Sequence, residues 1–175
     1  MSAADPPVLR PATPGDARAC ARVYAPYVTD SVVSFELEPP DEQEMARRIG
    51  ASHAWLVAEE GGQVVGYAYG GTHRTRAAYR WTAEVAIYLA ASHHGRGLGR
   101  ELYGALFGVL GDQGLRLLCA GLTLPNPASD RLHRGMGFEE VGVFHRIGWK
   151  HGAWHDVGWY ELDLRPGDDS GPADA

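Results

Sequence analysis

The sequence has few cysteines, no long hydrophobic run and no excess of positive charge, and each of these absences excludes a class of protein. Cys20 and Cys119 are the only cysteines among 175 residues, too few for a disulfide framework or a cysteine-based metal site. No stretch approaches the roughly 20 apolar residues that span a membrane. A formal net charge of −6 argues against electrostatic binding of nucleic acid or an anionic membrane over a broad surface. The N-terminus lacks the basic flank and apolar run of a signal peptide, so we expect a cytoplasmic protein without structural metal.

The distribution of apolar residues predicts one domain with a tail at each end. We expect residues 1–7 and the acidic segment 166–175 to be disordered, and residues 8–165 to form a single domain. Hydrophobic periodicity predicts strands near 8–10, 55–59, 64–69, 81–89, 115–124, 139–143 and 156–164. Helices are predicted near 13–25, 41–50, 98–110 and from 126 to 135 or 137. This order is typical of an α/β (α+β) protein, a mixed sheet with helices on its faces.

The predicted strand 81–89 alternates in hydropathy and carries one carboxylate. Residues 81, 83, 85, 87 and 89 are apolar and face one way, whereas Glu84 shares the opposite face with Tyr88. A carboxylate in the middle of an otherwise apolar strand is either a structural ion-pair partner or a group tuned for chemistry. The strand by itself leaves both interpretations open.

A glycine-rich segment, residues 94–100 with the sequence HGRGLGR, follows this strand and leads into a helix. Such a turn presents unpaired backbone amides at the positive end of the helix, which suits a phosphate or diphosphate. It is not a dinucleotide fingerprint, because Arg100 stands where the third glycine is required, and it lacks the Lys-Ser/Thr pair of a P-loop. A flexible helix entry without a ligand is the alternative.

Strand, glycine turn and helix together resemble the acetyl-CoA signature of the GNAT acyltransferases, [Gln/Arg]-x-x-Gly-x-[Gly/Ala]. His94 stands where the family has Gln or Arg, while the spacing of Gly97 and Gly99 holds. Other segments are similar to phosphinothricin N-acetyltransferases: 81–84 (WTAE), 124–126 (LPN), 132–133 (LH), 150–152 (KHG) and 154–158 (WHDVG). The resemblance covers residues 8–164. It implies a GNAT fold, a mixed, mostly antiparallel sheet of about seven strands with about four helices.

The resemblance implies acetyl-CoA as co-substrate, with no metal. The backbone of Ile87, Tyr88 and Leu89 and the side chain of Asn126 would contact the pantetheine arm. The diphosphate would lie on the turn formed by Gly95, Arg96, Gly97, Leu98, Gly99 and Arg100. Without the resemblance, Asn126 is simply a helix cap.

Two acid–base residues also follow from the resemblance. Glu84 falls at the family's catalytic glutamate and would act as general base, directly or through a water. His133 stands where many members carry a tyrosine, and it would take the amine's proton or protonate the departing thiolate. The division of these roles stays open, and without the resemblance His133 reads as a surface histidine of a helix.

A basic cluster at 73–80 precedes the same strand in an otherwise acidic protein. Local positive charge of this kind suggests an anionic ligand, although most charge runs are only solvated. By resemblance, the amine substrate would contact Arg74, Arg76, Tyr79 and Tyr88, with Phe35 closing the pocket.

The C-terminal third contains a histidine cluster and an aromatic group. His151 and His155 have the i, i+4 spacing of a helical metal-binding pair and His145 lies nearby, but Gly152 and the strand-like setting argue against a helix there. The aromatic side chains of this region, Trp149, Trp154, Trp159 and Tyr160, are expected to pack against the core or a second subunit.

From these observations we expect an N-acetyltransferase for the α-amine of phosphinothricin or a similar small anionic amino acid, giving resistance. We expect it to be a homodimer without a nucleic-acid or membrane partner. One alternative is a broader L-amino-acid or methionine sulfoximine N-acetyltransferase. Another is a non-catalytic acyl-CoA-binding sensor, which would keep the glycine turn but lose the acid–base pair.

Overall fold

A computed structural model describes residues 6–171 of the chain, so the ends of both predicted tails lie outside the described residues. Four α-helices are present: α1 (Ala17–Thr29), α2 (Glu42–Ala51), α3 (Leu98–Asp112) and α4 (Pro127–Gly135). Seven strands form the sheet: β1 (Val8–Pro11), β2 (Ala54–Glu60), β3 (Gln63–Thr72), β4 (Thr82–Leu89), β5 (Leu117–Leu124), β6 (Glu139–Lys150) and β7 (Ala153–Asp163). The predicted numbers of strands and helices are confirmed.

The strands form a single sheet in the order β1-β2-β3-β4-β5-β7-β6, and only the β4–β5 pair is parallel. That parallel pairing is short, because it joins Thr82–Glu84 to Leu117–Cys119 and then stops. Beyond it, β4 remains paired to β3 as far as Leu89, and β5 remains paired to β7 as far as Leu124. The two strands therefore diverge and leave a wedge in the middle of the sheet.

The sheet is covered on both faces, and alternation along each strand divides its side chains between two cores. Leu56 and Ala58 pack with α3, whereas Trp55 and Val57 pack with α1 and α2. The α3 core also receives the apolar side chains of β4 that the sequence assigned to one face. Tyr88, predicted on the other face, packs with the α1 and α2 core.

Short-range signals begin the elements that position the site. Asp41 accepts a hydrogen bond from the amide of Glu44 (2.8 Å) and so caps α2. Asn126 caps α4 in the same way through Ser129 (3.1 Å), with Pro127 at the first helical position.

Some predicted boundaries were wrong. Helix α1 was expected to end near Ala25, but it continues through Pro26 to Thr29. Its last turn packs on the sheet through Val28, which is 1% exposed. The last two strands are also longer than predicted and form a hairpin whose turn contains His151 and Gly152. His151 and His155 are therefore not a helical pair.

The described part of the C-terminal tail contacts the domain. Arg116, just before β5, donates a hydrogen bond to the backbone carbonyl of Asp168. The start of the segment 166–175 is therefore tethered to the sheet. Within residues 6–171, no helix is long and apolar enough to span a bilayer, and no three His, Cys, Asp or Glu side chains are grouped as a metal site.

Candidate active site

The wedge between β4 and β5 holds a narrow slot of about 50 Å³. Glu84 and Cys119 form the last β4–β5 pair, so Glu84 lies where the strands part. The slot is lined from β4 by residues 85–88, from β5 by residues 121–123, and from elsewhere by Val33, Tyr103, Asn126, Ser129 and His133. On its β5 side, the backbone edge of β4 in the slot is free of strand pairing.

A larger cleft of about 510 Å³ continues from the slot. The two share Val33, Ile87, Asn126 and Ser129 as lining residues, so they form one channel. The cleft reaches the glycine turn and α4 and is large enough for an extended cofactor-sized ligand. Arg100 and Arg131 line it and add positive charge to its walls.

The glycine turn forms one end of this cleft. Gly95 and Gly97 have φ values of 72° and 85°, which favour glycine, and a Cβ at either would meet no atom within 4 Å. Gly97 caps α3, so the first amides of the helix have no intrahelical acceptor and are available to an anion. A Cβ at Gly99 would lie 3.4 Å from Leu132 and 3.6 Å from Ile87, which are ordinary van der Waals distances. Packing at this position therefore does not by itself require glycine.

Tyr27 connects the glycine turn to the end of β4. Its hydroxyl lies 2.6 Å from the carbonyl oxygen of Leu89 and 2.9 Å from Nε2 of His94. His94, which departs from the family signature, thus helps to close the base of the turn. Sequence reasoning missed Tyr27, since it ended α1 before this residue.

The predicted cofactor residues lie around the channel, with two exceptions. Ile87, Leu89, Gly95, Gly97, Gly99, Arg100 and Asn126 line the cleft, and Tyr88 lines the slot. The side chain of Leu98 is instead buried in the α3 core, which leaves only its backbone for a ligand. Arg96 lines neither cavity, and its guanidinium lies 3.8 Å from the carboxylate of Glu60.

His133 is a buried residue of the slot, only 3% exposed, and not a surface histidine. Its Nδ1 lies 2.8 Å from the carbonyl oxygen of Ser129 and therefore carries a proton. Burial lowers the pKa of His133 below its usual value, so the ring is neutral at pH 7. Its Nε2 then accepts a hydrogen bond from the hydroxyl of Tyr103 (3.1 Å).

Tyr103 completes the slot from α3, and sequence reasoning did not identify it. Its side chain is fully buried, and burial raises its pKa. The Tyr103–His133 pair brings a hydroxyl and an imidazole together at the slot. The lone pair of Nε2 is already used by Tyr103, so proton transfer at this end of the site involves the pair and not His133 alone.

Glu84 faces the opposite side of the sheet from α3. Its side chain is 44% exposed, so Glu84 is not a buried carboxylate. Oε2 of Glu84 lies 3.3 Å from Nδ1 of His73. Gly71 is paired with Glu84 and brings no side chain beside the carboxylate, whereas the Trp159 ring packs against Gly121.

The predicted substrate residues of the basic cluster lie on the loop between β3 and β4, and they differ in their contacts. Arg74 and Tyr79 are near Glu84: Nε of Arg74 donates to Nε2 of His73 (3.3 Å), and the guanidinium lies 5.7 Å from the centre of the Tyr79 ring. Arg76 is exposed at the same loop, and within residues 6–171 its guanidinium has no hydrogen-bond or ion-pair partner. It is therefore available to an anion.

Phe35 does not close the channel as expected. Its ring packs over β6, where a Cβ on Gly148 would overlap it, and lines neither cavity. Val33 of the same loop lines both. Buried Lys150 holds this loop by donating to the carbonyls of Val28 and Ser34, each at 2.6 Å.

Cys119 is the nucleophilic side chain paired with Glu84, but its environment favours the thiol. Burial raises its pKa to about 11, and the carboxylates of Glu84 and Glu161 add to the effect. Thiolate is the reactive form of cysteine. A thiol in this environment is therefore a poor nucleophile.

Comparisons of sequence agree with this geometry. The profile described as "Acetyltransferase (GNAT) family" matches residues 20–138. A phosphinothricin N-acetyltransferase from Streptomyces viridochromogenes is 39% identical over 162 residues, which is 91% of this chain and 88% of that protein. An L-methionine sulfoximine/L-methionine sulfone acetyltransferase from Salmonella typhimurium is 38% identical over 109 residues, which is 62% of this chain and 64% of that protein.

Solved structures match the whole arrangement of strands and helices. A GNAT superfamily phosphinothricin acetyltransferase from Sinorhizobium meliloti, in complex with acetyl-CoA, superposes with a TM-score of 0.91 at 35% identity. The match covers 97% of this chain and 94% of that one. A putative acetyltransferase from Salmonella typhimurium, solved with acetyl-CoA, also has a TM-score of 0.91, at 29% identity, over 97% of this chain and 99% of that one.

Proposed function

Because the chain belongs to the acetyltransferase (GNAT) family, we propose that it transfers the acetyl group of acetyl-CoA to the α-amine of phosphinothricin or a similar small anionic amino acid. The observation that carries this proposal is the channel between β4 and β5. The glycine turn lies at one end of that channel, and Glu84 lies where the strands part.

The donors around the channel fit acetyl-CoA. The first amides of α3, together with Arg100 and Arg131, suit a diphosphate. The unpaired edge of β4 suits the amide-rich pantetheine arm, which can bond to it as a neighbouring strand would. Bound there, acetyl-CoA supplies an activated thioester.

The side chains at the slot then have separate tasks. As the C–N bond forms and the C–S bond breaks, the amine must lose a proton and the leaving sulfur must gain one. Glu84 accepts the proton of the amine at the point where β4 and β5 part. The hydroxyl of Tyr103, held by its hydrogen bond to His133, gives its proton to the sulfur as the C–S bond breaks, and it regains a proton from solvent when Glu84 releases the proton of the amine.

An anionic amino acid is the substrate class that the neighbouring side chains favour. Arg76 and Arg74 carry positive charge on the loop beside Glu84, and Tyr79 adds a hydroxyl. The relatives named as phosphinothricin N-acetyltransferases, at 34–39% identity over about nine-tenths of the chain, support the same class.

The test is a comparison of amines in one assay of CoA release from acetyl-CoA. Values of kcat/KM would be measured for phosphinothricin, methionine sulfoximine and ordinary L-amino acids, and we expect phosphinothricin to be highest. Equal or higher values for methionine sulfoximine or ordinary amino acids would favour a broader amino-acid acetyltransferase, a candidate that the methionine sulfoximine relatives support. Binding of CoA without turnover of any amine would favour the sensor.

We also propose that the enzyme acts in the cytoplasm as a homodimer and that acetylation of a toxic amino acid gives resistance. The β6–β7 hairpin supports the dimer, because β6 is an edge strand and its apolar side chains are exposed. Phe144, Ile147, Trp149 and Trp154 are each more than half exposed, a pattern typical of an interaction surface. Light scattering after size-exclusion chromatography would test this, and a monomeric mass would contradict it.

A further inference from the structure

We propose that His73 is a positioning residue for Glu84: its ring carries a proton on Nδ1, donates it in a hydrogen bond to Glu84, and is held in that tautomer by Arg74. The inference rests on the proposed function, in which Glu84 accepts the amine's proton. The sequence includes His73 only as the first residue of the basic cluster 73–80, and it lies just beyond the end of β3.

The tautomer follows from the two hydrogen bonds of the ring. A guanidinium has donors but no acceptor, so the contact of Arg74 Nε with His73 Nε2 (3.3 Å) requires a lone pair on Nε2. The proton of the neutral ring is then on Nδ1, which lies 3.3 Å from Oε2 of Glu84. Protonation of Nε2 would set two donors against each other, so the contact with Arg74 disfavours the other tautomer.

Packing holds the ring in place. The His73 side chain is 15% exposed, and its ring is edge-on to Tyr79 (6.3 Å between centroids) and to Trp159 (6.2 Å). The carboxylate of Glu84, by contrast, is 44% exposed. A rigid donor thus restrains a more exposed acceptor, and this is how a supporting residue fixes the geometry of a general base.

The arrangement leaves one carboxylate oxygen for chemistry. Oε2 is bound to His73, while Oε1 has no hydrogen-bond partner within the part of the chain that the structure describes. Oε1 is therefore available to the substrate amine. The terminal nitrogens of Arg74 are likewise not used by His73, so an anionic group bound to them would reinforce the hydrogen bond that sets the tautomer.

Two substitutions separate positioning from packing. His73→Phe keeps a ring against Tyr79 and Trp159 but removes both nitrogens, whereas His73→Asn offers a side-chain N–H near the place of Nδ1. We expect His73→Phe to lower kcat about tenfold or more, the loss of one hydrogen bond to a charged group, with the KM for acetyl-CoA unchanged. His73→Asn should recover most of that loss. His145→Phe, at a 74%-exposed histidine on the edge strand β6, is the matched control and should be unchanged.

An NMR measurement tests the inference without turnover. In the ¹⁵N spectrum of the histidine rings, with His73 assigned by comparison with His73→Phe, Nδ1 should be protonated and Nε2 should not. A proton on Nε2, wild-type kcat in folded His73→Phe, or no recovery in His73→Asn would each overturn the inference. Wild-type enzyme without turnover of any amine would contradict the proposed function instead, and the NMR result would still decide the tautomer.

Discussion

Replacing Glu84 with Gln removes a base and changes little else. Gln has nearly the same shape as Glu, and its amide oxygen can still accept the hydrogen bond from Nδ1 of His73. The Glu84 side chain is 44% exposed and forms no ion pair with an arginine or lysine of residues 6–171, so we expect the stability of the fold to be preserved. What Gln cannot do is accept the proton of the amine.

The expected loss is much larger than any general effect of charge. A positioned general base contributes about 10²- to 10⁴-fold to a rate. Glu161 offers a measure of what negative charge alone contributes to the rate. Glu84 is paired with Cys119, and Cys119 is paired with Glu161, so the three side chains share one face of the sheet. Two strand spacings put the carboxylates about 10 Å apart. At that distance one charge in water is worth about 0.4 kcal/mol, or about twofold in rate.

Initial rates of CoA release, with acetyl-CoA and the amine each varied, would measure the effect. We expect Glu84→Gln to lower kcat at least about 10²-fold with the KM for acetyl-CoA unchanged. Glu161→Gln is the matched control and should remain within about twofold of wild type. Equal losses in the two variants would mean that charge and not proton transfer matters, and wild-type turnover by Glu84→Gln would refute the assignment.

The remaining predictions concern substrate charge, the glycine turn and acid stability. Arg76→Ala should raise the KM for an anionic amine and leave that for acetyl-CoA unchanged; equal effects on anionic and neutral amines in steady-state kinetics would contradict this. Gly97→Ala places a Cβ at a φ of 85°, so the free energy of unfolding measured in urea should fall by about 1–2 kcal/mol. Steady-state kinetics should also show a higher KM for acetyl-CoA. The control Gly104→Ala, at an exposed position within α3, should be stabilising. The pKa of Asp16 is lowered to about 2, chiefly by its hydrogen bonds with Arg10, so about 2 kcal/mol of stability, present above pH 4, should be lost as the pH falls from about 4 to 2. Asp16→Asn should remove that part of the pH dependence of urea unfolding, and an unchanged pH profile would contradict the prediction.

Local sequence was a reliable guide wherever one short pattern determines one element. The alternation along β4 correctly assigned Glu84 and Tyr88 to the face opposite Val85, because neighbouring side chains of a strand point to opposite sides. The spacing of Gly97 and Gly99 located the start of α3. The predicted end of α1 near Ala25 was wrong, because packing of the last turn on the sheet outweighs the hydrogen bond that Pro26 cannot donate.

The sequence by itself determined the family resemblance, the alternating strand with Glu84 and the glycine turn. Each of these can be identified from residues that are neighbours in sequence. Folding alone decided that β4 and β5 part after Glu84, that Tyr103 reaches His133, and that Phe35 packs on Gly148 while Val33 lines the channel. Each of these joins residues far apart along the chain. Such pairings are set by how the two cores pack, and no local pattern of residue types encodes them.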